Sequence, residues 1–201
     1  MKIGCVLLAA GAGVRFGGDK LKACVAGKTM LENILSKLPA ELFDKCVIVA
    51  ADSSLLETAK TYGISGVINN RPELGIARSI RMGLKPLLDM DACMFCVSDQ
   101  PFLKGETIRA MLENYTPGTM LSLAHGGKRG NPVLFPSSLF GELLRLRRSQ
   151  FGTHVIHAHP ELLKLYETAD PLELKDIDTR EELARLENSA ASHVDTPQKP
   201  C

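Results

Sequence analysis

The stretch from Ile3 to Lys20 constrains this chain more than any other. It reads I-G-C-V-L-L-A-A-G-A-G-V-R-F-G-G-D-K, so an apolar run up to Ala10 passes into a glycine-rich loop. A short apolar run bounded by glycine predicts a buried strand. Glycines directly after a strand leave backbone N–H groups free to face an anion, and Arg15 and Lys20 add positive charge to the same loop. The stretch therefore predicts a strand followed by a loop that holds a triphosphate.

Two common phosphate-binding loops do not match. The dinucleotide fingerprint G-x-G-x-x-G, begun at Gly11, needs a third glycine where the chain has Phe16. The Walker A pattern, ended at Thr29, needs its first glycine where the chain has Lys22. A nicotinamide-binding Rossmann protein is one alternative for this chain, and the break at Phe16 also counts against it.

Composition predicts an ordinary soluble domain. The chain has 201 residues, a net charge of +1, 45% hydrophobic residues and no tryptophan, which gives no basic patch or stacking surface for nucleic acid. No apolar run approaches the roughly 20 residues of a membrane helix. We expect a single domain over 1–187, a disordered tail over 188–201 and a cytoplasmic protein, although Lys2 and the apolar run after it also resemble a short signal peptide.

Four cysteines lie in predicted strands. Cys93 and Cys96 form a C-x-x-C pair, but no second pair accompanies them, and in a strand the two side chains would point to opposite faces. We therefore expect Cys5, Cys46, Cys93 and Cys96 to be reduced core residues, since a free cysteine behaves as a small hydrophobe.

Apolar periodicity predicts alternating strands and helices, which favours a parallel sheet with crossover helices. Thr29 with Glu32, and Thr179 with Glu182, have the spacing of capping boxes at two helix starts. Glycines at 126 and 127 predict a hairpin turn. Strands are predicted over 3–10, 45–50, 67–68, 91–97, 120–123, 132–135 and 162–167, and helices over 30–38, about 53–62, 76–84, 105–114, 137–148, 155–159 and 180–187.

Three predicted strands end in segments suited to a ligand. In an open parallel sheet, ligands bind beyond the carboxyl ends of the strands. The glycine loop follows the first strand, the polar loop Asn69–Gly75 follows the third, and Asp99 follows the fourth. A carboxylate beside bound phosphates suits Mg²⁺. Asp99 is therefore the predicted metal ligand, and its other interpretation is a cap for the next helix.

Five segments together resemble the molybdenum-cofactor cytidylyl- and guanylyltransferase family, and the cytidylyltransferase branch in particular. Leu8 to Lys20 matches the pattern L-A-A-G-x-G-x-R-x-G-G-x-K. The other four segments are Gly75 to Leu84, Ser98-Asp99-Gln100-Pro101, Arg129 to Phe135 and Asp176-Ile177-Asp178-Thr179.

The resemblance implies a three-layer Rossmann-like nucleotidyltransferase fold, with a mostly parallel sheet and helices on both faces. It implies an enzyme that transfers a nucleoside monophosphate, CMP from CTP in the first instance, to the phosphate of a molybdopterin-type cofactor with release of pyrophosphate. The implied partners are the nucleoside triphosphate, that cofactor and a molybdoenzyme that receives it. Mg²⁺ is the implied cofactor. Arg15, Lys20 and Asp99 are the implied catalytic residues, and the nucleotide-binding ones are Leu8, Ala9, Ala10, Gly11, Ala12, Gly13, Asn70, Gly75 and Ser79.

Four positions depart from the family pattern. Gln150 stands where the family often has an acidic residue, His154 stands near the place of its arginine, and Ala77 and Arg78 replace hydroxyl residues of the base-binding segment. These changes leave two further alternatives for function. One is an enzyme of the same fold acting on a sugar phosphate or alditol phosphate. The other is a nucleotide-binding protein that delivers a cofactor without turnover.

Several other polar residues have two interpretations. Lys22 is interpreted as a solvated surface residue rather than a second catalytic lysine. Asp176 and Asp178 are equally well interpreted as site carboxylates or as part of the turn before Thr179. The histidines near residues 154–159 cluster on one predicted helix, but they lack the partners and spacing of a metal site.

Overall fold

The structure is a computed structural model that describes residues 1–11, 16, 18–25, 27–148 and 150–191. A seven-stranded sheet in the order β5-β4-β1-β6-β8-β7-β9 runs through the middle of the fold. Its strands are β1 (Ile3–Ala9), β4 (Lys45–Ala50), β5 (Ser65–Ile68), β6 (Ala92–Val97), β7 (Met120–His125), β8 (Lys128–Pro136) and β9 (Leu163–Glu167). The hairpin β2 (Cys24–Val25) and β3 (Lys28–Thr29) forms a separate small sheet.

The sheet is mostly parallel, as the alternation of strands and helices predicts. β1 pairs in parallel with both β4 and β6, and β5 pairs in parallel with β4. β8 runs antiparallel to both of its neighbours, β6 and β7, because it returns through the tight turn at Gly126 and Gly127, which both have positive φ. The carboxyl ends of β4, β1 and β6 therefore meet at one edge, and the amino end of β8 reaches the same edge.

Helices cover both faces of the sheet, which confirms the three-layer prediction. One apolar core contains side chains from α1 (Met30–Leu35), α2 (Ser53–Thr61), α4 (Gly105–Glu113) and α7 (Arg180–Ala191). The other contains side chains from α3 (Ile76–Leu84), α5 (Phe140–Arg145) and α6 (Gly152–Ala158). Cys96 lies in the first core and Cys93 in the second, so the C-x-x-C pair points to opposite faces as predicted.

Capping residues begin two helices where the sequence predicts. Thr29 Oγ1 accepts from Glu32 N, and the Glu32 carboxylate accepts from Thr29 N, so α1 starts with a complete capping box. The lysine and threonine of the near-match to the Walker pattern thus belong to β3 and a helix cap. The Glu182 carboxylate accepts from the backbone of Asp178 and Thr179 at the start of α7.

Several predicted bounds were wrong, among them the end of α1, which comes at Leu35 rather than at residue 38, and the start of β8, which comes at Lys128 rather than at residue 132. α7 continues past the expected end at Glu187 to Ala191. α5 ends at Arg145 rather than Arg148, and α6 begins earlier than expected, at Gly152. The short hairpin of β2 and β3 was not predicted, because its two-residue strands carry no periodicity.

Within the described residues, no helix is both long enough and apolar enough to cross a bilayer.

α3 lies unusually close to the sheet. A Cβ added at Gly83 would come within 2.4 Å of Val6 Cγ1 and 2.9 Å of Val49 Cγ2, so only glycine permits this approach. Gly75, the residue just before α3, has φ +88. A Cβ there would come within 2.6 Å of the Arg148 carbonyl oxygen. Gly83 therefore lets the last turn of α3 pack closely on β1 and β4, and Gly75 lets the chain before the first turn pass close to the backbone of Arg148.

Candidate active site

A cleft of three adjoining pockets runs along the edge where β4, β1 and β6 end. The loop pocket lies next to β4, the central pocket beyond β1, and the apolar pocket beyond β6. The loop and central pockets share Gly11, Ser98 and Asp99. The central and apolar pockets share Leu8, Ile76 and Val97. A molecule bound along this edge can therefore extend from one pocket into the next.

Asp99 lies at the centre of this cleft. It follows β6 directly, and Ser98 N still donates to Leu8 O at 3.2 Å, so the β1–β6 ladder holds the turn that carries Asp99. Lys20 Nζ lies 3.4 Å from Asp99 Oδ2 and 3.1 Å from Asp178 Oδ1. The lysine is largely covered, with 11% of its side chain exposed. The structure thus brings together Lys20 and Asp99, which the sequence predicts as catalytic, across 79 residues of chain.

The segment 176–178 adds two more carboxylates to this cluster. Ile177 N donates to Asp99 O at 2.9 Å, which docks the segment on the end of β6. Asp176 accepts from Gln100 Nε2 at 2.9 Å. The pKa of Asp176 is raised by its burial first, and then by the nearby negative charge of Asp99. Three carboxylates and one lysine therefore meet at the end of β6.

Lys22 is exposed, as predicted, and it also forms ion pairs with two carboxylates. Its Nζ lies 2.6 Å from Asp52 Oδ2 and 3.3 Å from Asp19 Oδ2, and all three residues line the loop pocket. The Lys22 ammonium is the main reason that the pKa of Asp52 falls to about 2. Asp52 also caps α2 through Ser54 N. Lys22 therefore links the glycine loop to the carboxyl end of β4.

The central pocket is the place where the predicted base-binding residues meet. Its wall contains three segments that the sequence singles out, with the lining residues Leu8, Ala10, Gly11, Pro72, Gly75, Ile76 and Ser79. Ser79 is buried, and its Oγ accepts from Asn69 Nδ2 at 3.0 Å. Ala9 instead lines the loop pocket.

Asn69, rather than the predicted Asn70, organises this segment. Asn69 is fully buried, and its Oδ1 accepts from Arg78 Nε at 2.8 Å and from Arg71 N at 3.1 Å. Asn70 is exposed and accepts from Arg78 Nη2 at 3.3 Å. The sequence did not distinguish the two, since adjacent asparagines in a turn have the same propensities. Arg78, a departure from the family pattern, serves to hold this loop.

Some predicted site residues lie outside the described residues. These are Ala12, Gly13 and Arg15. Phe16, which breaks the dinucleotide fingerprint, is buried in the core with 4% of its surface exposed. Arg180 of α7 donates to Phe16 O at 3.2 Å, and its guanidinium lies 5.5 Å from the centre of the Phe16 ring. α7 therefore holds the far end of the glycine loop.

The apolar pocket has a cavity of about 270 Å³ and lies under α3, α5 and α6. Arg129, Asn131 and Thr153 are the polar side chains among its lining residues. Phe151, at its rim, is 52% exposed. Gln150 Oε1 accepts from Arg147 N, which closes a local turn. The main apolar lining residues are Ile80, Phe95, Val97, Val133, Phe135, Leu143 and Ile156.

The predicted histidine cluster is dispersed. His154 Nδ1 accepts from Phe151 N, His157 contacts Arg129, and His159 Nε2 lies 2.8 Å from a Glu142 oxygen. Within the part of the chain that the structure describes, no group of three or more His, Cys, Asp or Glu side chains has the arrangement of a metal site. A metal at Asp99 would therefore also need oxygen ligands from a substrate.

The family model of the MobA-like NTP transferase domain matches residues 5–162. The chain belongs to the MobA-like NTP transferase family. It is a nucleotidyltransferase, and the resemblance of its motifs to this family is confirmed at the level of the family. A curated relative, the bifunctional protein GlmU of Alkaliphilus oremlandii, is 23% identical over 135 residues. That match covers 66% of this chain but 29% of the relative, so the chain spans less than a third of the length of GlmU.

Solved structures of the family have the same fold. A nucleotidyl transferase from Methanothermobacter thermautotroptrophicus superimposes with a TM-score of 0.81 at 20% identity, covering 96% of this chain and 99% of that chain. Rv0371c from Mycobacterium tuberculosis, in complex with manganese, has a TM-score of 0.72 at 22% identity, covering 94% and 100%. Molybdopterin-guanine dinucleotide biosynthesis protein A from Archaeoglobus fulgidus has a TM-score of 0.71 at 20% identity, covering 94% and 99%. At these identities the likeness shows the fold.

Proposed function

We propose that this nucleotidyltransferase transfers a nucleoside monophosphate from a Mg²⁺-bound nucleoside triphosphate to a phosphate-bearing acceptor and releases pyrophosphate. The observation that supports this most is the position of Asp99, between the loop pocket and the central pocket and in contact with Lys20. The lysine suits a phosphate group and the carboxylate suits a cation. Their position between the two pockets is therefore suited to a phosphate with a bound cation.

The donor set fits a hard divalent cation. Asp99 and Asp178 offer carboxylate oxygens at the cleft and keep 35% and 43% of their side chains exposed. Mg²⁺ is usually bound through one or two carboxylates together with substrate phosphates. We assign Asp99 as a ligand, as the motif predicts, and Asp178 as a second candidate. The bound ion would supply charge stabilisation for the phosphates; a relative with manganese supports a divalent ion.

The chain's own residues position the reactants. The central pocket would hold the nucleoside, with Gly75 and Ser79 at its wall, and the loop pocket would hold the phosphates beneath Gly11. Lys20 would neutralise negative charge that builds on the departing pyrophosphate. An acceptor phosphate oxygen attacks the α-phosphorus, and the bond from that phosphorus to the bridging oxygen breaks. No general base is needed, because the attacking phosphate is already an anion. Ala12, Gly13 and Arg15 remain predicted participants.

The motif resemblance makes CTP the first donor to test and a molybdopterin-type phosphate the first acceptor. A molybdoenzyme as the final recipient would follow only for that acceptor, and a cytoplasmic location is part of the proposal for either acceptor. The positions that depart from the family pattern lie away from Asp99: Gln150 closes a turn and Arg78 holds Asn69. These departures therefore do not remove the predicted catalytic residues.

Thermal stabilisation by CTP, GTP, ATP and UTP with Mg²⁺ identifies the donor, because a ligand that binds the folded state raises its apparent stability. Pyrophosphate release is then measured for Asp99→Asn. We expect this variant to lose pyrophosphate release while it still binds nucleotide, since the substitution keeps the shape of the side chain and removes its charge. Turnover equal to that of the wild type would refute the assignment of Asp99.

A further inference from the structure

The apolar pocket is the part of the cleft that the donor half of the reaction does not use. It adjoins the central pocket through Leu8, Ile76 and Val97, so it lies where an acceptor next to the nucleotide would place the rest of its body. Its deeper wall consists of buried side chains, among them Phe95, Phe135 and Ile156. A ring system rich in hydrogen-bonding groups would lose its water there without gaining partners, which is unfavourable.

The polar side chains of this pocket lie at its open end. Arg129, Asn131, Val133 and Phe135 of β8 all line the apolar pocket, although the pairing of β8 with β7 is irregular between Ser122 and Ala124. β8 is antiparallel to β6 and pairs Val133 with Phe95. Along β8, the direction from Val133 to Arg129 therefore points toward the edge of the sheet that carries Asp99. Toward that edge, the side chains that line the pocket change from the apolar Phe135 and Val133 to the polar Asn131 and then to the charged Arg129.

Arg129 is available to an anion. Its Nη2 lies 3.0 Å from His157 Nε2. Because arginine only donates, His157 accepts through a nitrogen without a proton and adds no negative charge. Among the described residues, no carboxylate forms an ion pair with Arg129, whereas Lys20, Lys22 and Lys104 each have two carboxylate partners. A half-buried guanidinium without a carboxylate partner suits a phosphate at the mouth of the pocket.

We propose that the acceptor is the phosphate monoester of an apolar alcohol, with its alkyl or aromatic body in the apolar pocket and its phosphate bound by Arg129 and Asn131. This inference rests on the proposed nucleotidyl transfer. It replaces the pterin phosphate or sugar phosphate expected as the acceptor with the phosphate of an apolar molecule. The cavity of about 270 Å³ is the right size, since a dry cavity of roughly 150 Å³ already binds benzene in another protein.

Binding of acceptor probes tests the proposal without requiring turnover. Hexyl phosphate, glycerol 3-phosphate and neopterin phosphate are titrated by calorimetry, each with and without the preferred nucleotide. We expect hexyl phosphate to bind at least about tenfold more tightly than the other two, because each buried methylene adds roughly 0.8 kcal/mol. Equal binding of the three, or tighter binding of the glycerol or pterin phosphate, would overturn the proposal.

Variants on one strand separate the phosphate and body contacts. Arg129→Gln should weaken all three probes by about 10- to 100-fold, the usual effect of losing a charged hydrogen bond. Lys128→Gln, at the exposed neighbouring position, removes the same charge and should change affinity less than twofold. Val133→Thr keeps the shape and should weaken hexyl phosphate alone, by about tenfold. Equal effects of Arg129→Gln and Lys128→Gln would refute the assigned phosphate site.

The two proposals fail in different ways. If no nucleotide with Mg²⁺ stabilises the protein and no acceptor releases pyrophosphate, the transfer reaction is wrong, whatever the probes show. If nucleotide binds and turnover occurs best with glycerol 3-phosphate or neopterin phosphate, the reaction stands and the apolar acceptor is wrong. Pyrophosphate release that is fastest with hexyl phosphate supports both.

Discussion

The close packing of α3 on the sheet gives a prediction that links stability to nucleotide binding. In Gly83→Ala the new methyl group would lie 2.4 Å from Val6 Cγ1, about 1 Å less than the 3.4 Å at which ordinary contacts begin. It would also lie 2.9 Å from Val49 Cγ2. Both valines are fully buried in neighbouring strands, so neither can rotate into solvent. α3 must therefore move outward.

The size of the effect follows from two opposing contributions. Overpacking a buried site costs about 1–3 kcal/mol, and two contacts this short place Gly83→Ala at the upper end. Alanine gains about 1 kcal/mol over glycine in a helix. The net loss in the free energy of unfolding is therefore about 2 kcal/mol, which corresponds to a decrease in Tm of about 4–8 °C for a chain of this size.

Gly141→Ala is the matched control, since it makes the same change in α5. There the nearest atom to the new Cβ is Arg145 Nη1 at 3.6 Å, which is an ordinary contact to a flexible side chain. Only the helix-propensity gain remains, so Tm should stay the same or rise by about 2–4 °C. Melting curves followed by circular dichroism measure both variants.

The displacement of α3 should also weaken nucleotide binding, because Gly75 and Ser79 line the central pocket. We expect the Kd for the preferred nucleotide to rise about tenfold in Gly83→Ala, equivalent to about 1.4 kcal/mol, and to stay unchanged in Gly141→Ala. If Gly83→Ala is as stable as the wild type, the close approach of α3 is wrong. If it is destabilised but binds nucleotide normally, the central pocket does not hold the nucleotide.

Two further predictions concern the lysines of the cleft. Lys20→Met should slow pyrophosphate release by about 10²–10³-fold, as expected for the loss of one group that stabilises the transition state. Lys22→Met, the control, should slow it far less, and a loss below twofold in Lys20→Met would point away from Lys20. Lys22 lowers the pKa of Asp52 from 3.8 to about 2, so the stabilising effect of this ion pair is complete above about pH 4 and disappears as the pH falls through 2. The difference in Tm between the wild type and Lys22→Met should therefore shrink on acidification over that range, and a difference that grows would contradict the contact.

Much of this fold follows from local sequence signals. β4 and α3 have the predicted bounds, and the capping box at Thr29 and Glu32 begins α1 where expected. These elements are strongly periodic or carry their own start signals. β2 and β3 were missed, because strands of two residues have no period and depend on packing against the rest of the chain.

Site residues that belong to a motif were predicted from the sequence. Positions and contacts that depend on residues far apart in the chain were missed. Lys20 and Asp99 came from motifs and meet in the structure. Lys22 is exposed as predicted, but its contact with Asp52 was missed, since nothing near it in sequence indicates that a residue 30 positions away will reach it. Arg129 belongs to a recognised motif, but its position at the mouth of an apolar pocket depends on the pairing of β8 with β6.

The segment 176–178 shows why a turn and a site need not be competing interpretations. Its backbone makes the turn: Asp178 N donates to Glu182, and Ile177 N donates to Asp99 O. Its side chains are left for other contacts, so that Asp178 reaches Lys20 and Asp176 reaches Gln100. The same hydrogen bonds that begin α7 therefore hold two carboxylates against the end of β6. A substitution at Glu182 should consequently disturb the cluster of Lys20, Asp99 and Asp178 as well as the helix start, although Glu182 itself contacts neither Lys20 nor Asp99 among the described interactions.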